Sequence, residues 1–297
     1  MPATEGDYRS VWLHLMNVPH RIRFVDAGGV RTRVLEAGSA NAPAVVMLHG
    51  ATGSLEYFCA NIGPLSAQYR VIALDMLGSG ETGRPDRPYT PSAYRDHVVA
   101  VLAALEIARC ALVGVALGSA IAVHVARARS DLVRAIVMCS PGAIQVDAGA
   151  VREFVAGVRD RRGAAVEDLT WDTVSNVIDA LFFDPEAVRM DDLVALRLRG
   201  YDAPDRAAHM RNMLASATPE QFLPHEQWRA MDLPILVVAP VSIRHMFLDN
   251  ARAIAALAPR AELVDMTGCR IWPQYERAAV FNRHCLDFLA RNGGPDA

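Results

Sequence analysis

The stretch Gly114-Val115-Ala116-Leu117-Gly118 lies between an apolar run and a segment with helical spacing. Two glycines that flank a central residue in this way are typical of a tight strand-to-helix turn, the nucleophile elbow, whose central residue is normally serine. Here the central residue is alanine, and its methyl group has no proton to lose and no lone pair to give. The pattern therefore predicts the geometry of an elbow without covalent catalysis at position 116.

Apolar runs of the kind that form buried parallel strands surround this turn. Strands are predicted at 44–48, 71–75, 110–113, 135–139, 234–238 and 262–266, a hairpin at 21–26 and 30–35, and helices at 92–105, 119–128, 248–257 and 275–291. Alternation of strands and helices predicts a doubly wound, mostly parallel sheet. From residue 143 to 232 the chain is charged and helical, which predicts an inserted lid between two core segments, 1–142 and 233–297.

The composition argues against several classes of function. The chain has 297 residues, of which 52% are hydrophobic, and this favours a core-rich protein over a disordered one. A net charge of -3 gives no reason to expect nucleic-acid binding. All 30 basic residues are arginine, so Schiff-base chemistry, lysine-bound pyridoxal phosphate and P-loop phosphate binding are excluded.

Cofactors and a membrane location are not expected either. The five cysteines are far apart and form no CxxC pair, which together with the absence of a signal-peptide pattern predicts reduced thiols in a cytoplasmic protein. No His/Cys/Asp/Glu group has metal-ligand spacing, and no apolar stretch is long enough for a membrane span. A GxGxxG pattern at 78–83 is followed by a proline-rich segment instead of a helix, so a dinucleotide site is not favoured. The expected partner is a small molecule, and a homodimer is left open.

The order of the motifs resembles the α/β-hydrolase fold over nearly the whole chain. The motifs are His49-Gly50, the turn at 75–80, the elbow and the late segment at 268–276. Within that superfamily the segments at 8–12, 26–33 and 192–197 are similar to the meta-cleavage-product hydrolases, which cut carbon–carbon bonds in vinylogous diketones. The resemblance implies an α/β-hydrolase core with a helical lid.

Such enzymes carry a serine, an acid and a histidine in that sequence order. The resemblance implies that Ala116, Ile243 and Ile271 occupy these three positions and line the pocket. Asp249 is not favoured as a displaced acid, because it is expected to cap the helix that follows. The backbone N–H groups of Ala51 and Leu117 are expected to remain as an oxyanion hole.

Other pocket residues are predicted around these positions. Arg270, His245 and Cys269 are the candidates for chemistry: a guanidinium can hold a carboxylate, phenolate or enolate, and the other two are alternative positions for a relocated base. Further predicted pocket residues are His49, Gly50, Thr52, Tyr57 and Trp272. The arginines at 197, 199 and 211 are interpreted as a solvated face of the lid.

Three hypotheses about function follow. The first is a cofactor-independent lyase or cyclase type, catalysing a non-hydrolytic cyclisation, coupling, elimination or rearrangement of a polyketide-like or aromatic metabolite, by confinement and oxyanion stabilisation. The second is a ligand-binding protein without turnover. The third is a hydrolase or cofactor-free oxygenase with a relocated base. We expect the first.

Overall fold

A computed structural model describes residues 8–202 and 204–292 of the chain. Eight strands form one sheet; their bounds are β1 His20–Asp26, β2 Arg31–Ala37, β3 Ala44–Leu48, β4 Arg70–Leu74, β5 Cys110–Val115, β6 Val133–Cys139, β7 Ile235–Pro240 and β8 Ala261–Met266. The strand order is β1-β2-β4-β3-β5-β6-β7-β8, with the β1–β2 and β2–β4 pairs antiparallel and all other pairs parallel. The predicted doubly wound α/β sheet is confirmed, and the predicted strand positions agree with it to within two residues.

Helices cover both faces of this sheet. Their bounds are α1 Val11–Leu15, α2 Cys59–Ser66, α3 Pro91–Ala104, α4 Leu117–Ala128, α5 Ala148–Glu167, α6 Trp171–Asp179, α7 Pro185–Val188, α8 Asp191–Tyr201, α9 Arg206–Leu214, α10 His225–Arg229, α11 Met246–Leu257, α12 Pro273–Glu276 and α13 Ala278–Asn292. Short 3₁₀ helices lie at Leu55–Phe58 and Pro219–Gln221. Helices α5 to α10 come between β6 and β7, and we call them the inserted helices.

The alternation of side chains along the strands creates two hydrophobic cores. In β3, Val45 and Met47 enter the core that also contains α2 and α13, whereas Val46 and Leu48 enter the core that contains α3 and α4. Successive strand residues point to opposite faces, so a strand with helices on both sides is apolar throughout. This explains why the central strands appear in the sequence as continuous apolar runs.

Two local predictions differ from the structure. The predicted helix at 275–291 is two helices, because Arg277 between α12 and α13 adopts non-helical angles of φ -127° and ψ 45°. Asp249 was expected to cap the helix after β7, but the cap of α11 is His245, whose ring accepts a hydrogen bond from the Phe247 N–H. Asp249 lies in the first turn, where a carboxylate interacts favourably with the helix dipole.

Of the helices in the described ranges, none is long and apolar enough to cross a membrane. The same ranges hold no group of three or more His, Cys, Asp or Glu residues placed to bind a metal ion.

Candidate active site

Ala116 lies at the predicted strand-to-helix turn, between β5 and α4. Its backbone angles are φ 50° and ψ -109°, a conformation that residues with a Cβ rarely adopt. The flanking glycines permit the turn, since a Cβ on Gly118 would lie 2.0 Å from the Leu48 carbonyl oxygen and one on Gly114 would lie 2.5 Å from the Gly118 backbone. The chain thus forms the elbow and presents a methyl group at its apex.

The two residues predicted to supply an oxyanion hole are Leu117 and Ala51. Leu117 is the first residue of α4, where an N–H has no acceptor within the helix, and Ala51 follows the loop that leaves β3. Both residues line the same cavity as Ala116. These two positions are those predicted for an oxyanion hole, which stabilises negative charge on a carbonyl oxygen.

His49 shapes the loop that carries Ala51. Its Nδ1 donates to the Gly50 carbonyl oxygen at 2.7 Å and its Nε2 accepts from the Met76 N–H at 2.9 Å. Burial lowers the pKa of His49 to about 4, so the ring is neutral at pH 7. Both ring nitrogens are therefore occupied, and His49 has no nitrogen available for proton transfer to a substrate.

The cavity has a volume of about 550 Å³, within the usual range for small-molecule sites. Part of its lining comes from residues that follow the carboxyl ends of parallel strands. These are Ala51 after β3, Ala116 after β5, His245 after β7 and Arg270 after β8. This edge is where open α/β sheets bind their ligands. The inserted helices supply further lining residues, including Val151 of α5, Val177 of α6 and Leu214 of α9.

Most of the predicted pocket residues meet at this cavity. The lining includes Gly50, Ala51, Ala116, Leu117, His245, Arg270, Ile271 and Trp272. Ile271 is buried and presents an apolar side chain where the resemblance implies a histidine. The catalytic roles expected at these positions stay predictions.

Five predicted residues lie outside the lining. Ile243 is half-buried in the turn between β7 and α11, where His245, Met246 and Phe247 form the cavity wall instead. His49, Thr52 and Tyr57 are buried in the segment that follows β3, and Cys269 is buried after β8. Ile243 is thus absent from the lining of this cavity, and its predicted role at the former acid position stays a prediction.

Cys269 lacks the properties of a base or nucleophile. Its Sγ donates to the Met266 carbonyl oxygen at 3.4 Å, and burial raises the pKa of the thiol to about 12. A thiol must ionise to become a strong nucleophile. Cys269 is instead part of the hydrophobic core of the protein.

The solvated-face interpretation missed Arg197. Its side chain lines the cavity, is only 4% exposed, and donates to the Tyr57 hydroxyl, while its guanidinium lies 5.4 Å from the centre of the Tyr57 ring. The signal was present in the spacing of α8, where the buried residues are Leu193, Val194, Arg197 and Tyr201. An arginine on the apolar face of an amphipathic helix faces the interior.

Tyr57 lies between Arg197 of α8 and Trp272, which follows β8. Its ring packs on Trp272 with centroids 4.1 Å apart, and burial raises the pKa of its hydroxyl to about 12. Tyr201 donates to Thr52 Oγ1 at 3.3 Å. The Arg197 guanidinium thus has the Tyr57 hydroxyl as a hydrogen-bond partner, and no ion pair with a carboxylate is found for it among the described residues.

The cavity is electropositive although the chain carries a net charge of -3. Among the described residues that line it are three arginines, Arg152, Arg197 and Arg270, and no Asp or Glu. A cation removed from water is costly unless an anion or a hydrogen bond compensates it. This arrangement favours a ligand with negative charge.

Comparison with known proteins agrees with this architecture. Residues 43–170 match the alpha/beta hydrolase fold family. The chain is 30% identical, over 91% of its length and 91% of the other protein, to the 2-hydroxy-6-oxo-6-(2'-aminophenyl)hexa-2,4-dienoic acid hydrolase of Metapseudomonas resinovorans. It is 31% identical, over 89% of its length and 92% of the other, to a 2-hydroxy-6-oxononadienedioate/2-hydroxy-6-oxononatrienedioate hydrolase of Paraburkholderia xenovorans.

The chain belongs to the alpha/beta hydrolase family, in the branch of the meta-cleavage-product hydrolases. A solved meta-cleavage-product hydrolase variant shares the fold, with a TM-score of 0.76 at 23% identity over 91% of this chain and 98% of the other. The resemblance drawn from the motifs is confirmed.

These relatives correct the expected reaction. Two proteins about 30% identical over nine-tenths of this chain are hydrolases by name, which favours hydrolysis. The prediction of a non-hydrolytic lyase or cyclase is therefore wrong. That prediction rested on the apolar residues Ala116, Ile243 and Ile271 at the three triad positions, whereas the similarity to named hydrolases extends over nine-tenths of the chain.

Proposed function

We propose that this protein hydrolyses a carbon–carbon bond in a 2-hydroxy-6-oxo-dienoic acid, with water as the nucleophile. The observation that carries the proposal is Arg197, a buried cation that pairs with no acid among the described residues and that lines the same cavity as Ala51 and Leu117. A guanidinium pairs well with a carboxylate, and the N–H groups suit a ketone oxygen. A 2-hydroxy-6-oxo acid carries both groups.

The reaction needs no side-chain hydroxyl if water attacks. The methyl group of Ala116 leaves more room at the elbow than a serine, and a water placed there faces a ketone held in the oxyanion hole. The water hydroxyl joins the ketone carbon, the bond between that carbon and the neighbouring C5 breaks, and the remaining water proton goes to C5. The products are a carboxylic acid and a 2-hydroxydienoic acid, and the atoms balance without a cofactor.

Oxyanion stabilisation and binding provide the rate enhancement in this scheme. In triad hydrolases that lose all three triad residues, these two effects still leave about 10³ to 10⁴-fold acceleration over water. We therefore expect slow but measurable turnover.

The test incubates the purified protein in ¹⁸O-water with the 2-hydroxy-6-oxo-dienoic acids that the names of these relatives contain. Turnover is measured as the loss of the dienolate absorbance of the substrate. We expect the released carboxylic acid to contain one solvent oxygen. The variant Ala116→Trp fills the cavity and should remove the activity. Tight binding without turnover, or an acid without ¹⁸O, would contradict hydrolysis.

A second measurement tests the carboxylate site. Replacement of Arg197→Met removes a charge-assisted pair and should raise KM by about 10 to 100-fold. The matched control is Arg199→Met on the same helix, since Arg199 is 72% exposed and pairs with Glu81 away from the cavity. A change of KM that is equal in the two variants would assign the effect to helix α8 rather than to the carboxylate.

A further inference from the structure

A second group of hydrogen-bond donors lies in the cavity, formed by Arg270 and His245. Arg270 follows β8 and His245 precedes α11, and both side chains contribute to the lining. Arg270 Nε and His245 Nε2 are buried and have no hydrogen-bond partner in the structure. Two such donors in one cavity leave an unsatisfied polar region that a ligand can complete.

The hydrogen bonds of His245 determine which of its ring nitrogens donates. Its Nδ1 accepts the Phe247 N–H at 3.2 Å, so this nitrogen carries no proton. Burial lowers the pKa of the ring, and the positive charge of Arg270 acts in the same direction. The neutral ring therefore holds its proton on Nε2, and that atom is a donor and not a base. The hypothesis of a relocated base at His245 loses its support on these contacts.

Two acidic groups lie nearby, and each interacts electrostatically with one of the two donors: Glu276 with Arg270, and Asp249 with His245. Glu276 accepts from the Phe183 N–H at 2.6 Å and from the Arg270 backbone N–H at 2.8 Å, so its carboxylate is held by the backbone. Asp249 acts on His245 from the first turn of α11, and neither acid is part of the cavity lining. The Arg270 guanidinium makes no ion pair within the described residues.

Arg270 and Arg197 are anchored to different parts of the site. Arg197 is held by Tyr57, and Tyr57 in turn packs on Trp272. Arg270 follows β8 and His245 follows β7, and both line the same cavity. A substrate with a single carboxylate, paired with Arg197, would leave Arg270 and His245 without a ligand group to bind.

We propose that Arg270 and His245 form a second anion subsite, which binds a carboxylate on the acyl end of the substrate and makes the protein selective for a 2-hydroxy-6-oxo diacid. This inference rests on the proposed function, in which Arg197 takes the first carboxylate. Hydrolysis of such a diacid adds the water hydroxyl to the ketone carbon and the water proton to C5. The products are a dicarboxylic acid and a 2-hydroxydienoic acid.

The experiment compares two probes that differ only at the acyl end. One carries a propionate chain on the ketone, and the other carries a propyl chain of the same length without charge. We expect kcat/KM to favour the diacid by about 10-fold or more, since a charge-assisted hydrogen bond is among the stronger polar contacts. In Arg270→Met this ratio should fall close to one, whereas Arg270→Lys should keep a preference for the diacid.

The control variant is Arg244→Met, which removes a positive charge one residue from His245 at an exposed position outside the lining. It should leave the ratio unchanged. A ratio near one in the unsubstituted protein, or one that survives Arg270→Met, overturns the subsite. Far-ultraviolet circular dichroism checks that each variant is folded.

Dissociation constants separate this inference from the proposed hydrolysis. They are measured for both probes from the shift of dienolate absorbance on binding, which requires no turnover. A diacid preference in binding that Arg270→Met removes, without product formation, supports the subsite and contradicts hydrolysis. Turnover of both probes at equal rates and equal affinity supports hydrolysis and contradicts the subsite.

Discussion

At the scale of single residues, Ala116 holds a backbone conformation that costs free energy. Its φ of 50° and ψ of -109° fall outside the regions that residues with a Cβ prefer. Strain of this kind costs of order 1–3 kcal/mol and persists only where the surrounding structure imposes it. Here contacts with β6 and α4 impose it, since the Ala116 N–H donates to the Cys139 carbonyl oxygen at 3.0 Å and the Ala116 carbonyl oxygen accepts from Ser119 Oγ at 2.6 Å.

Replacement of Ala116→Gly tests this strain. Glycine adopts positive φ without steric cost, and we expect the free energy of unfolding to rise by up to about 1 kcal/mol, after the entropy loss of glycine is subtracted. Urea denaturation gives the value. The control is Ala120→Gly inside α4, which should lower the stability by about 1 kcal/mol or more. Equal losses in the two variants would show that the turn is not strained.

At the scale of secondary-structure elements, Arg33 ties three segments together. It lies on β2 and donates from Nε to Asp75 Oδ2 at 2.6 Å and from Nη2 to Glu56 Oε2 at 3.0 Å. Asp75 also accepts from the Leu55 N–H at 2.8 Å and the Glu81 N–H at 2.9 Å. This network fixes the start of the 3₁₀ helix that follows the oxyanion loop, so it positions the site without contacting a substrate.

Removal of this arginine should destabilise the protein strongly. Arg33→Met leaves Asp75, which is fully buried, and Glu56 without their cation, and we expect the free energy of unfolding to fall by about 3–5 kcal/mol. The comparison is Arg199→Met, which breaks an exposed pair with Glu81 and should produce no measurable change. Urea titrations of both variants provide the measurement, and a similar small change in each would contradict the structural role of Arg33.

At the scale of the whole molecule, buried neutral histidines control stability toward acid. Burial lowers the pKa of His49, His97 and His209 to about 4 in each case. An unfolded histidine titrates near pH 6.5. Between pH 6.5 and 4 the unfolded chain binds more protons than the folded one. The contribution of these histidines to the free energy of unfolding is therefore complete above pH 6.5 and is lost as the pH falls through 4.

His97→Leu tests this dependence at one position. The side chain of His97 contacts Thr32 Oγ1 at 2.8 Å in the core beside α3, away from the cavity lining. We expect the difference in unfolding free energy between pH 7 and pH 4.5 to shrink by about 2 kcal/mol in this variant. Val98→Ala, a buried neighbour without a titrating group, should lower the stability equally at both pH values. An unchanged pH dependence in His97→Leu would contradict the assignment.

Much of the fold was predictable because its signals are local. The run at 44–48 is a strand with those bounds. Gly114 and Gly118 predict the elbow because a Cβ on Gly118 would meet Leu48 and one on Gly114 would meet the Gly118 backbone. The single helix predicted at 275–291 failed because no local signal marks the break at Arg277. The predicted reaction was wrong because it followed from the apolar residues at the three triad positions, whereas the similarity to named hydrolases extends over nine-tenths of the chain.

By itself the sequence determined the parallel α/β sheet, the elbow and the absence of a hydroxyl at its apex, since these depend on the periodicity of apolar residues and on side-chain chemistry. Only the tertiary structure decided that Arg197 faces the cavity, that Ile243 does not, and that His245 donates from Nε2. Arg197 meets Tyr57 across 140 positions of the chain, and His245 is oriented by the cap of α11. Contacts of this kind depend on how distant segments pack, and burial then sets the charge that each group carries.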